Sequence, residues 1–400
     1  MQQRFFGALG GALLLSAALG QPATTPPTTA RSDTTAIAAD LNALLAHGPR
    51  VPGTPASDAA RAYLEGEFHK AGYQTRREAF SYARFEDLGS DVRVGGHILP
   101  GFALQGSGGG EVSAGVARVE GVGTPQEFER ANVRGKIAVV ARGTLPFAQK
   151  ASNASAAGAA GLIVVNNEDG DLRGTLGENV KLPVLGVDRA TGERLRGGER
   201  ATLNLRGERR EVRGLNVVAF KTGLTKPEAL FGGHMDSVPL APGANDNASG
   251  TAAVLDLARR AANTPLGANS FFVLFDGEED GLRGSRAFVD GHPDLVGSLK
   301  LMLNFDMVGV NVMPLSVGGD QNLTARAQKA VPELQTFRDG GGSDHASFLA
   351  AGVPSLFFHR GIDPNYHRPG DTVADPALIS GAVDSGLKVA AALLGDNAAR

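Results

Sequence analysis

Cysteine is absent from all 400 residues, which removes disulfides, thiolate metal ligands and a cysteine nucleophile from consideration. Its absence also leaves a bacterial lipid anchor no attachment point, so export in soluble form is the expectation. Strong charge of one sign is missing too. Lys and Arg number 39 against 42 Asp and Glu, and a net charge of −3 gives no argument for nucleic acid or an anionic membrane surface as partner. The apolar run Phe5 to Leu19 falls short of the ~20 residues that cross a bilayer. Arg4 before it and Ala18-Leu19-Gly20 after it fit a signal peptide over residues 1–20. The Pro- and Thr-rich stretch 21–33 reads as a linker, and the expected location is secreted or periplasmic.

What remains describes a globular chain with at least one large core: 42% hydrophobic residues, 20% charged, and 55 glycines for tight turns. Asp33 to Leu45 carries apolar residues at helical spacing, and Ser57 is placed to cap a second helix ending near Gly72. Gln74 to Phe85 reads as a strand. Composition shifts near Leu88. Residues 88–212 are glycine-rich with short β-like runs at Val112–Val119, Lys136–Ala141, Gly161–Asn166 and Leu182–Val187, plus a helix at Phe147–Gly158. No cluster of His, Asp and Glu lies there, and His97 reads as structural, so this segment is expected to be an inserted binding or lid module.

From Leu215 onward, apolar strands without alternation are separated by helices near 247–262, 282–290, 321–331, 343–351 and 376–394. Strands lacking alternation are buried on both faces, so the expected fold is α/β, with a mostly parallel central sheet covered by helices on both faces. The catalytic unit is expected to comprise residues 34–87 and 213–396.

Functional groups of such sheets gather beyond the carboxyl ends of the strands. Four strand ends here deliver metal-compatible residues. His234 and Asp236 follow Glu228–Gly233, with Asp246 ten residues on. Asp276-Gly-Glu-Glu-Asp280 follows Phe271–Phe275, Asp306 follows Leu301–Phe305, and His367 lies just beyond Leu356–His359. Imidazole and carboxylate suit Zn²⁺. The set divides into two halves, each with one histidine (His234 or His367) and one terminal carboxylate (Glu279 or Asp306), leaving Asp246 to bridge two zinc ions. Glu278 is then the expected general base. Asp236, behind His234, is expected to orient its ring.

These motifs resemble the zinc aminopeptidase family numbered 28 among the metallopeptidases. The resemblance rests on His234-Met-Asp-Ser, Gly243-Ala-Asn-Asp-Asn-Ala-Ser-Gly, Glu278-Glu-Asp-Gly-Leu-Arg-Gly-Ser, Asn304-Phe-Asp-Met-Val-Gly, Ser343-Asp-His-Ala-Ser-Phe and Tyr366-His-Arg-Pro-Gly-Asp-Thr. It implies a fold with two zinc ions, assigns His234, Asp246, Glu279, Asp306 and His367 to metal, and gives Glu278 the base role. A zinc-bound hydroxide would attack the scissile carbonyl of a peptide N-terminus. Val133-Arg-Gly-Lys-Ile-Ala-Val-Val and Ala156 to Asn167 make 88–212 resemble the protease-associated domain inserted in many members.

One departure stands out. Where some members place a tyrosine before Ser-Asp-His, this chain has Phe337-Arg-Asp-Gly-Gly-Gly, leaving Tyr366 as the nearby phenol. His345, His359, His292, His69 and His47 are expected to be structural. The rival readings are a carboxypeptidase, for which Arg283 and Arg368 would meet a terminal carboxylate, a single-zinc glutaminyl cyclase, and a non-enzymatic receptor-like relative. The last two sit poorly with a full ligand set and base.

Overall fold

Eight strands form the sheet that carries the site: β1 (Gln74–Asp87), β2 (Gly207–Phe220), β3 (Ala229–His234), β4 (Ser270–Phe275), β5 (Leu301–Phe305), β6 (Ser316–Gly319), β7 (Gln335–Thr336) and β8 (Ser355–His359). Their spatial order is β1-β2-β4-β3-β5-β8-β6-β7. The computed structural model describes residues 34–395 apart from 169 and 178. The expected signal peptide, linker and residue 396 therefore lie outside the described residues.

The four central strands β4, β3, β5 and β8 run parallel. The pairs β1–β2, β2–β4 and β8–β6 are antiparallel, so the sheet is mixed around a parallel centre. Every residue of β3, β4 and β5 is buried, because successive side chains point to opposite faces and both faces are covered. On one face Phe231, Phe272, Leu303 and Phe358 pack beneath helices Thr35–Leu45, Pro55–Lys70, Gly250–Ala261 and Pro376–Leu394. On the other, Leu230, Phe271, Phe275 and Met302 meet Phe288 of helix Arg283–Gly291 and Phe348 of helix His345–Ala350.

The second helix begins earlier than its expected cap. Thr54 caps it, its Oγ1 accepting from the Ser57 amide at 3.3 Å, while Pro55 takes the first helical position, where a missing N–H costs nothing. Ser57 instead accepts from Arg61 Nη2 at 3.0 Å.

β1 and β2 pair over their whole length, from Gln74 opposite Phe220 to Asp87 opposite Gly207. The boundary expected at 212/213 falls inside β2, since residues 207–211 are exposed and polar and carry no apolar alternation to read. Beyond this ribbon lies a second eight-stranded sheet, covered on its two faces by separate cores. Its parallel part comprises Gly110–Arg118, Ile137–Ala141, Gly161–Val165 and Val184–Val187, with Ala151 and Ala154 of helix Phe147–Ala156 packed against it. Asp91–Val94, His97–Pro100 and Arg200–Leu205 add antiparallel strands that the sequence pattern does not single out.

Candidate metal centre

All the site residues emerge from the carboxyl ends of the four parallel strands. His234 ends β3, which closes on two glycines. A Cβ on Gly233 would stand 2.8 Å from the Phe305 carbonyl, so a side chain there would push β3 away from β5. The His234 carbonyl accepts from Thr251 Oγ1 at 2.7 Å, fixing the strand end to the following helix. The ring is held by Nδ1 against the Asp236 carbonyl oxygen at 3.2 Å. This leaves Nε2 facing Asp246 Oδ1 at 3.2 Å and Asp306 Oδ1 at 3.4 Å.

The expected helix 247–262 begins only at Gly250. Residues 244–249 form a wider turn in which Asp246 and Asn247 leave helical dihedrals. Asn247 donates to the Phe305 carbonyl at 3.0 Å and accepts from the amides of Gly250 (2.7 Å) and Met307 (3.2 Å). Asn245 donates to Asp363 at 2.7 Å and accepts from Gly309 at 3.0 Å. Asp371 accepts from the amides of Asn245 and Asp246 at 2.7 and 3.1 Å. Three loops are thereby tied around one carboxylate. Asp246 is left with Oδ1 toward His234 and Oδ2 3.3 Å from His367 Nε2.

Glu279 Oε2 lies 2.9 Å from the same His367 nitrogen. Two clusters result, His234/Asp246/Asp306 and Asp246/Glu279/His367, each with its ligand atoms within 4.8 Å of one another and Asp246 common to both. Asp236 sits behind them, accepting from the Glu278 and Glu279 amides at 3.2 Å each, with its Oδ1 3.4 Å from His234 Nδ1. Glu278 belongs to neither cluster. Its Oε2 is 4.0 Å from His234 Nε2, and it lines a cavity of about 260 Å³ together with Asp246, Asp306, Phe357, Ile362 and Tyr366.

Negative charge is in excess here. Burial, reinforced by Glu279, Asp306 and Asp344, pushes the Glu278 carboxyl well above its usual range against the pull of His234. Burial and Asp246 push Glu279 up to about 8. Burial opposes charge on both histidines, yet the surrounding carboxylates win, holding His234 well above its usual value and His367 up at about 10. Buried polar atoms normally find partners, but His234 Nε2, Glu279 Oε1 and Asp306 Oδ1 are buried without a hydrogen bond. Mixed imidazole and carboxylate donors aimed at shared points, with orphaned atoms and surplus negative charge, fit a divalent cation such as Zn²⁺ in each cluster.

Arg50 escaped the sequence reading because it lies in the turn-rich Gly48–Pro55. Its side chain is 1% exposed and donates to the carbonyls of Met235 (2.8 Å), Pro242 (2.6 Å) and Gly243 (2.9 Å), which bracket the loop between His234 and Asp246. Burial lowers its guanidinium to about 10 despite Asp236, Asp371, Asp246 and Glu279 nearby. His359 also approaches the centre, its Nδ1 2.9 Å from the Asp306 carbonyl oxygen. His345 pairs with Asp339 at 2.6 Å and stacks on Phe357, His292 meets Glu78 at 3.0 Å and His69 meets Thr75 at 2.9 Å. None of these belongs to either cluster. Tyr366 stacks on His367 with ring centroids 3.7 Å apart.

The sequence matches the model of peptidase family M28 over residues 216–382 and that of the PA domain over 107–195. It is 33% identical over 382 residues to a probable lipoprotein aminopeptidase, LpqL, of Mycobacterium tuberculosis, covering 82% of this chain and 76% of that one. Aminopeptidase YwaD of Bacillus subtilis is 31% identical over 353 residues, with the same 82% and 76% coverage. Among solved structures, a zinc aminopeptidase from Bacillus subtilis superposes with a TM-score of 0.79 at 28% identity, covering 90% of this chain and 94% of that one. Relatives this similar over most of both lengths, together with a complete pair of donor clusters, establish that the chain belongs to peptidase family M28.

Proposed function

We propose that the protein is an exported zinc aminopeptidase that removes N-terminal residues from peptides. One zinc ion would be held by His234, Asp246 and Asp306, and a second by Asp246, Glu279 and His367. The observation that carries this reading is the single carboxylate shared by two imidazole–carboxylate clusters, one oxygen toward each histidine. When bound, a zinc pair supplies Lewis acidity, making a water easier to deprotonate and a carbonyl easier to attack.

The chain's own groups do the rest. Glu278 takes the proton released by the water and returns it to the leaving amine, which requires a carboxylate near the centre that is not itself spent on metal. Asp236 holds the Glu278–Glu279 backbone and backs the His234 ring, so base and ligands keep one geometry. The cavity beside Glu278 offers Phe357 and Ile362 to an N-terminal side chain, and its carboxylates favour a free ammonium group over a carboxylate. Arg283 and Arg368, which a carboxypeptidase would need, line neither cavity that opens on the centre, and the Arg283 Nε donates to the Asp280 carbonyl at 2.9 Å.

The test compares an aminoacyl p-nitroanilide with its N-acetylated form, using zinc-loaded full-length protein. Cleavage of the free amine, loss on chelation and recovery with Zn²⁺ are expected. Cleavage of the N-acetylated form as fast as the free amine, or release of the C-terminal residue from an N-acetylated peptide with a free carboxylate, would overturn the reading.

A further inference from the structure

We propose that the inserted domain gives the substrate's leaving portion a carboxylate-binding subsite, with Arg173 as its cation. This deepens the aminopeptidase reading and rests on it.

A second cavity, of about 400 Å³, also borders the centre. Glu279 and His367 form one wall, Leu240 from the loop after β3 another, and Phe102 and Arg173 of the insert a third. Its volume is in the range of small-ligand sites. Each cavity thus meets a different terminal carboxylate of the centre, one Asp306, beside Glu278, and the other Glu279, beside His367. A peptide whose scissile carbonyl sits between the clusters extends into both.

Charge decides the direction. The smaller cavity is lined by Glu278, Asp306 and Asp339 and receives the ammonium end. The larger one contains a cation. Arg173 is exposed and stacks on the Phe102 ring with its guanidinium carbon 3.8 Å from the centroid, and it forms no salt bridge among the described residues. Stacking fixes the guanidinium plane and leaves its edge N–H groups open for a bidentate partner. Asp87, the carboxylate elsewhere in the wall, is already engaged: Oδ1 accepts from the Ala103 amide at 3.1 Å and from Ser90 Oγ, and Oδ2 from the amides of Gly89 (3.2 Å) and Ser90 (3.3 Å). Its oxygens are thus held by neutral donors, and it forms no ion pair with Arg173 among the described residues. The ligand chemistry that completes the pocket is a carboxylate on the leaving peptide, either the chain terminus of a short substrate or an acidic side chain just after the scissile bond.

The experiment uses full-length zinc-loaded enzyme and reads kcat/KM ratios within each preparation, so the folded fraction cancels. Leu-Ala-Ala is compared with its C-terminal amide, and Leu-Asp-Ala amide with Leu-Asn-Ala amide. The wild type should favour at least one carboxylate-bearing member by about 10-fold, the order of one charge-assisted contact, and 0.5 M salt should shrink that preference. Arg173→Ala should bring the ratio close to 1, and Arg173→Lys should keep part of it. The first pair reports a terminal carboxylate as ligand and the second a side-chain one. Ratios near 1 in the wild type, or a preference that persists in Arg173→Ala, would overturn the subsite while leaving the aminopeptidase reading intact. Failure of the wild type to hydrolyse any of the four would overturn both.

Discussion

Replacing Arg50 with methionine would test whether the loops that carry His234 and Asp246 depend on a residue that touches neither metal cluster. Methionine keeps much of the side-chain bulk and the backbone amide, whose bond to Ser237 Oγ at 3.0 Å survives. Three buried or partly buried carbonyls, of Met235, Pro242 and Gly243, lose their donor. At ~1–3 kcal/mol for each unsatisfied group, the gross loss is roughly 3–9 kcal/mol. Against this stands the cost of a charge buried far enough to drop its pKa from 12.5 to about 10, a shift worth ~3 kcal/mol. Water reaching the partly exposed Pro242 lowers the loss further. The net destabilisation is therefore expected near 3 kcal/mol, a large fraction of the ~5–15 kcal/mol that holds a domain together. Metal affinity should fall as well, by ~10–100-fold, as when groups that orient ligands are removed. Denaturant unfolding of the chelated protein measures the first quantity, and zinc competition against a chromogenic chelator measures the second. Arg50→Lys keeps the charge but not the fork, so it should recover less than half of either loss. Zinc affinity within twofold of wild type in a folded Arg50→Met protein would refute the reasoning.

The adjacent glutamates should separate cleanly. Glu278→Gln should retain its metal and peptide binding yet lose ~10²–10⁴-fold in kcat with KM nearly unchanged, and near-wild-type turnover would remove the base assignment. Glu279→Ala removes a group 2.9 Å from His367 Nε2, so it should weaken zinc binding in the same competition assay; unaltered affinity would take Glu279 out of the centre.

The central sheet was legible because β3, β4 and β5 are apolar without alternation apart from His234, Ser270 and Asn304, a pattern that double-sided burial explains. The seven residues of the candidate centre stand out in the sequence because each lies in a segment that follows a strand end, where functional groups of such sheets gather. Pairing His234 with Asp306, and His367 with Glu279, was not. It depends on the order β4-β3-β5-β8, and strand order leaves no trace in local sequence. Arg50, Asn245, Asn247 and Asp371 were invisible as site residues for a related reason. Their partners are mainly backbone groups of distant loops, and a backbone acceptor is the same at every position. The lower half of β2 hid behind charge, since Glu208 to Glu211 are charged and exposed and show no apolar alternation.

The account depends most on Asp246 serving two ions at once. The direct measurement is elemental analysis of full-length protein, saturated with Zn²⁺ and freed of loosely bound metal, read as zinc per chain. The account predicts two, because His234 with Asp306 and His367 with Glu279 complete separate donor sets on either oxygen of one carboxylate. A saturating value of one or none would contradict it.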